Sequence, residues 1–128
     1  MRLLLDTHAL IWFCERNPAL SDRARAAMED AANTRFVSYA TSWERAIKLS
    51  IGKLQLLVGF DAVFPGVLMA NGFEVLPSSF EHFRAVLSLP RHHGDPFDRL
   101  LIAQAQIEGL TLVTNDPRFS EYGVPLLW

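Results

Sequence analysis

The sequence predicts a three-layer α/β/α sandwich around a central parallel sheet of about five strands. Two observations carry the prediction. Short runs of strand composition alternate with longer runs of helical spacing from one end of the chain to the other. The strand runs, RLLLD, RFVSYA, FEVLP, LTLVTND and VPLLW, are apolar stretches rather than strict alternations of apolar and polar residues. That is the pattern of strands covered on both faces, which parallel sheets require. Crossovers between such strands are right-handed, and ligands of such sheets sit outside the strand carboxyl ends. At 128 residues the chain reads as a single domain, 1–128, long enough to bury a core without disulfides or structural metals.

Each element has its own signal. RLLLD has strand length, and THALIWFCE after it has the spacing of a short helix. NPALSDRARAAMEDAA is Ala-rich, with Ser21 placed to cap a second helix. RFVSYA is strand-like, and TSWERAIKLSIGKL reads as a helix from Thr41 to Gly52. Residues 60–71 have helical composition and end at Asn71-Gly72. FEVLP is a strand closed by Pro77, and SFEHFRAVLSL a helix capped by Ser78 or Ser79. DPFDRLLIAQAQIEG is a helix with Pro96 in its first position and Gly109 at its end. LTLVTND and VPLLW complete the strands. There is no linker, repeat or low-complexity tract.

Composition excludes several classes. Half the residues are hydrophobic and 20% are charged, ordinary for a globular protein. A net charge of −2 gives no global attraction to nucleic acid, so such a partner needs a local basic surface or a bridging metal. Cys14 is the single cysteine, which excludes an internal disulfide and fits a reducing compartment. The apolar start is interrupted by Asp6 and His8 and reads as a core strand and helix rather than a leader. No run is long enough to span a bilayer.

The acids carry the chemistry. Every one of them has a structural job open to it. Asp6 can cap the helix after the first strand. Glu44 completes Thr41-x-x-Glu44, a capping-box spacing, and stands four residues before Lys48. Asp95 can cap the helix that Pro96 opens, with Asp98 near its positive end. Asp116 can be a turn residue before Pro117. Their joint placement says more. Asp6 and Asp116 follow strands, while Glu44 and Asp98 open helices. In a parallel α/β sheet, strand carboxyl ends and helix amino ends share one edge. Four carboxylates gathered there repel one another unless some stay protonated or a cation joins them. Oxygen ligands without cysteine suit Mg²⁺ or Mn²⁺.

These same stretches, LLLDTHALIW, SWERAIKLSIGKL, LPRHHGDPFDRLLIAQA and LTLVTNDPRFSEYGVPLLW, resemble the PIN-domain family from end to end, and within it the VapC-type toxins of toxin–antitoxin pairs. The resemblance implies a PIN-like fold and a Mg²⁺- or Mn²⁺-dependent endoribonuclease that hydrolyses RNA phosphodiesters with metal-activated water. It implies a homodimer held inactive by a cognate antitoxin protein, in the cytoplasm and not at a membrane. By motif match its acidic cluster falls on Asp6, Glu44, Asp98 and Asp116, both as catalytic residues and as metal ligands. Thr7, Asp95, Asn115, Lys48 and Arg99 are expected around them, as supporting or substrate-contacting groups. One departure is Gly94, where relatives often carry an arginine before DPFDR; a possible phosphate contact is absent there.

Other features have bland readings beside functional ones. His92 and His93 lack metal spacing with His8, His82 or Cys14, and loop histidines are usually solvated. His8 is expected as a hydrogen-bonded residue near the site. Arg91, Arg99, Lys48, Lys53 and Arg118 can form a basic rim. Trp12, Trp43 and Trp128 are expected in the core or at an interface, and residues 56–70 can pack internally or receive an antitoxin or second subunit. Two competing functions remain: a catalytically silent PIN-like module that binds RNA or protein, and a metal-dependent phosphatase. The phosphatase chemistry needs a second acid two residues after the first strand's Asp, where this chain has His8.

Overall fold

The computed structural model describes residues 1–53 and 59–128. Five strands, β1 (Arg2–Leu5), β2 (Thr34–Ser38), β3 (Glu74–Leu76), β4 (Thr111–Val113) and β5 (Leu126–Leu127), form one sheet in the order β3-β2-β1-β4-β5. Every pairing is parallel. The order reverses at β1, whose neighbours are β2 and β4, and this makes the carboxyl end of β1 the switch point of the sheet.

Successive β1 side chains point to opposite faces and start two separate cores. Leu3 and Leu5 pack with Ala9, Leu10, Leu20 and Met28, which belong to α1 (Thr7–Glu15), α2 (Asp22–Glu29) and the loop between them. Leu4 packs with Leu101, Ile102 and Leu112 on the other face, under α5 (Phe80–Ser88) and α6 (Pro96–Glu108). The chain is therefore the expected three-layer sandwich. α3 (Tyr39–Ser50) leaves the end of β2 and packs against α6.

Local signals set most boundaries. Ser21 Oγ accepts from Ala24 N at 3.0 Å and starts α2. Ser79 and His82 form a reciprocal cap on α5. Gly109 closes α6 at φ 65°, a left-handed position that disfavours a side chain.

Two elements differ from the sequence reading. α3 starts at Tyr39, with Ser38 as its cap, so Thr41 and Glu44 form no capping box. Thr41 Oγ1 is instead buried without a partner. The helix expected over 60–71 is broken at Phe64, which has φ −116° and ψ 96°. Pro65 has no backbone N–H to continue the ladder, and regular helix returns only as α4 (Leu68–Ala70). Val63, Phe64 and Leu68 pack into the core, and residues 56–58 of that segment lie outside the described residues. Among the described residues, no helix is long and apolar enough to cross a membrane.

Candidate active site

The first acid is fixed by the sheet itself. Asp6 continues β1, and its backbone N–H donates to Val113 O at 3.1 Å. Its side chain caps α1 by accepting from Ala9 N at 2.7 Å, and it also bonds the Thr114 side chain. Asp6 is only 5% exposed. Burial raises its pKa, the bonds from Thr114 and Ala9 oppose that rise, and the nearby charge of Asp116 adds to it.

Glu44, on the second turn of α3, is buried between two donors. Thr7 Oγ1 donates to its Oε1 at 3.0 Å, and Lys48 Nζ donates to its Oε2 at 3.1 Å. Thr7 thereby ties α1 to α3, and the expected Glu44–Lys48 pair is present.

Asp95 and Asp98 divide the work at the start of α6. Asp95 Oδ1 accepts from Phe97 N and Asp98 N at 2.9 and 3.0 Å, which makes it the helix cap. Asp98, in the third helical position, is turned toward His93 Nε2 (3.2 Å) and Arg118 Nη2 (3.4 Å), both against its Oδ2. Burial, and then the charge of Asp95, push its carboxyl up to about 6.

Asp116 follows β4 and caps the short 3₁₀ turn Pro117–Tyr122. The Arg118 side chain grips both of its oxygens, with Nη2 at 2.6 Å from Oδ2 and Nε at 3.1 Å from each oxygen. That guanidinium holds the Asp116 carboxyl below the usual carboxylate range.

Asp6, Glu44, Asp98 and Asp116 line one pocket at the carboxyl edge, together with Thr7, His8, Arg45, Lys48, Asp95 and Arg118. The joint placement expected from the sequence is thus met. The acids are not drawn into a closed ligand set: among the described residues, no three His, Cys, Asp or Glu side chains stand close enough to hold a metal ion together. The donor chemistry nevertheless suits a hard dication. The donors are carboxylate oxygens, two of the carboxyls are raised by burial, and Asp98 and Asp116 already share one cation, the Arg118 guanidinium.

Two expectations need correction. Arg99 is no part of a basic rim: it is 7% exposed, and its guanidinium donates to Pro90 O, Leu89 O, Val86 O and the Tyr122 hydroxyl. It turns inward because Leu89 and Pro90, between α5 and α6, present carbonyls that no helix or strand satisfies. His93 is not a solvated loop residue. Its side chain is 10% exposed, with Nδ1 2.7 Å from Tyr122 Oη and Nε2 on Asp98. Trp43 is 64% exposed, while Trp12 and Trp128 pack edge to face beside the core. Asn115 stands exposed next to Asp116, outside the pocket wall. His8 lines the pocket with its ring against Trp12. Arg91 and Lys53 are exposed, and Gly94 has open space where a side chain would stand.

Sequence reasoning missed Arg45, Thr114 and Tyr122. A polar threonine directly after β4 was a readable signal for Thr114; Arg45 and Tyr122 reach the site only through tertiary packing.

Comparisons with known proteins agree with this architecture. The PIN domain family profile matches residues 3–125. No curated protein sequence matches the chain. Among solved structures, VapBC2 from Rickettsia felis, bound to a promoter DNA fragment, superposes with a TM-score of 0.72 at 18% identity, covering 99% of this chain and 98% of that one. FitAcB from Neisseria gonorrhoeae gives 0.67 at 21% identity over 98% and 96%. A domain of a functionally unknown protein from Methanocaldococcus jannaschii gives 0.60 at 15% identity over 99% and 89%. At these identities the likeness is one of fold.

Proposed function

The chain belongs to the PIN domain family, and from that premise we propose that it is a Mg²⁺- or Mn²⁺-dependent endoribonuclease, the toxin of a toxin–antitoxin pair. The observation that carries the reading is the convergence of Asp6, Glu44, Asp98 and Asp116, from four different elements, on one pocket at the carboxyl edge. PIN domains are generally nucleases. The toxin assignment draws on the motif resemblance and on folds shared with VapBC2 and FitAcB over nearly the whole chain.

In this reading Asp6, Asp98 and Asp116 would hold the dication, with Glu44 as a further carboxylate beside them. A dication held there would supply polarisation of a phosphate oxygen and an activated water. The chain's own groups do the rest. Thr7 and Lys48 fix the Glu44 carboxylate, which would orient the water and take its proton. His93, locked by Tyr122, orients Asp98. The water oxygen bonds to phosphorus as the bond to the 3′ oxygen breaks, and that oxygen takes up a proton. The products carry 5′-phosphate and 3′-hydroxyl ends. A cognate antitoxin and a second copy of the chain are the protein partners, and the cytoplasm is the compartment.

The open spacing of the acids favours one other reading, a silent module that binds RNA or protein. One assay separates the two. Purified chain is incubated with total cellular RNA in Mg²⁺, in Mn²⁺ and in EDTA, beside Asp6→Asn and Asp98→Asn. The expectation is discrete fragments that require metal and disappear in both variants, with folding intact by circular dichroism. Full activity in both variants rejects the site, and no cleavage under any condition favours the silent module.

A further inference from the structure

Among the described residues, Arg45 is the one arginine or lysine of the pocket that forms no ion pair with its acids. Lys48 is bound to Glu44, and Arg118 to Asp98 and Asp116. Arg45 lines the same pocket, is only 5% exposed, and its buried Nε has no hydrogen-bond partner. A buried guanidinium cannot shed its charge, and leaving its donors unmet costs stability. A ligand that accepts from Nε in this pocket would meet that donor. Burial lowers the pKa of Arg45, and the charges of Glu44, Glu15 and Asp6 oppose that fall. Its planar fork of N–H donors matches phosphate oxygens. The loop position that offers open space for a basic side chain is filled here by Gly94, so the phosphate contact is not made from that side.

We propose that Arg45 is the phosphate-binding residue of this site, a buried arginine whose unpartnered Nε–H is available to an RNA backbone phosphate next to the carboxylates. The inference rests on the ribonuclease reading above. Binding is measured by fluorescence anisotropy of a labelled oligouridylate in Mg²⁺, over a salt series, in an Asp98→Asn background that blocks turnover. Arg45→Met, close in length and apolar, is expected to bind roughly five- to tenfold more weakly, with a salt slope reduced by about 1. Arg45→Lys keeps most of the slope. Arg45→Met is also expected to melt at or above the temperature of its parent, because it removes an unmet buried charge. Mn²⁺ affinity, read by calorimetry in the otherwise unaltered chain, is expected to hold or tighten.

A purely structural arginine gives the opposite pattern: a large fall in melting temperature with RNA affinity and slope unchanged. That result overturns the inference alone. If Arg45→Met fails to fold, the inference is overturned unless Arg45→Gln, folded, shows the same loss of slope. If the unaltered chain neither binds nor cleaves RNA, the ribonuclease reading falls and this inference falls with it.

Discussion

At neutral pH the Asp98 carboxyl ionises against burial and against the charge of Asp95, and His93 and Arg118 return only part of that cost. Its pKa is raised from 3.8 to about 6. Between those values the folded chain keeps a proton that the unfolded chain has lost. Stability of the metal-free protein therefore falls as pH rises through that window, and the loss is complete above about pH 6. Asp6 is shifted in the same direction by its deeper burial. Asp98→Asn is accordingly expected to melt higher than the unaltered metal-free protein at pH 8, with the difference closing as pH is lowered towards 4. Adding Mn²⁺ at pH 8 is expected to raise the melting temperature of the unaltered chain and to have much less effect on Asp98→Asn. Melting curves at three pH values, with and without Mn²⁺, check both statements. Curves that keep a constant separation from pH 4 to pH 8 would show that Asp98 pays no ionisation cost in the fold.

Arg99 shows how an element, rather than a residue, shapes the site. Its guanidinium ties carbonyls at the end of α5 and in the following loop to Tyr122, and that loop carries His93 to Asp98. Arg99→Ala is expected to cost about 2–3 kcal/mol in urea denaturation, since several carbonyls lose a charged donor inside the fold. A variant as stable as its parent would return Arg99 to the surface role that the sequence suggested. The contrast marks what was legible. The strands could be read because burial on both faces is written residue by residue in apolar runs such as RLLLD. The positions of Asp6, Asp98 and Asp116 could be read because strand ends and helix starts are local features, whereas Glu44 stands on the second turn of α3 and not at its start. The start of α3 could not be read, because Ser38 and Thr41 are both competent caps. Pairing of β2 with β3, in register Ser38 to Leu76, leaves Ser38 as the last strand residue and therefore the cap. His93, Tyr122 and Arg45 were hidden for a related reason: their partners are set by how helices and loops pack, and sequence spacing carries no trace of that.

Over the whole molecule, among the described residues, a group of exposed apolar side chains gathers on α5 and α3. Phe80, Phe83 and Leu87 stand at i, i+3 and i+7 on α5, so they share one face, and they are 81%, 46% and 85% exposed. Tyr39 and Trp43, 59% and 64% exposed, stand one turn apart on α3 and share a groove with Phe83, Pro96, Phe97 and Leu100. Patches of this kind on a protein in water mark association surfaces. A two-fold axis needs only one self-complementary patch, and a stripe on α5 beside an aromatic pair on α3 supplies ridge and groove together. The proposed homodimer is therefore expected to form through this face. Phe80→Glu with Leu87→Glu should weaken self-association by at least about a hundredfold in sedimentation equilibrium. Both side chains are already in water in the monomer, so the fold should change by no more than about 0.5 kcal/mol per site. Dimerisation retained by the double variant would move the interface elsewhere. A parent chain that stays monomeric at high concentration would leave this face for the antitoxin, and the same two substitutions should then weaken antitoxin binding.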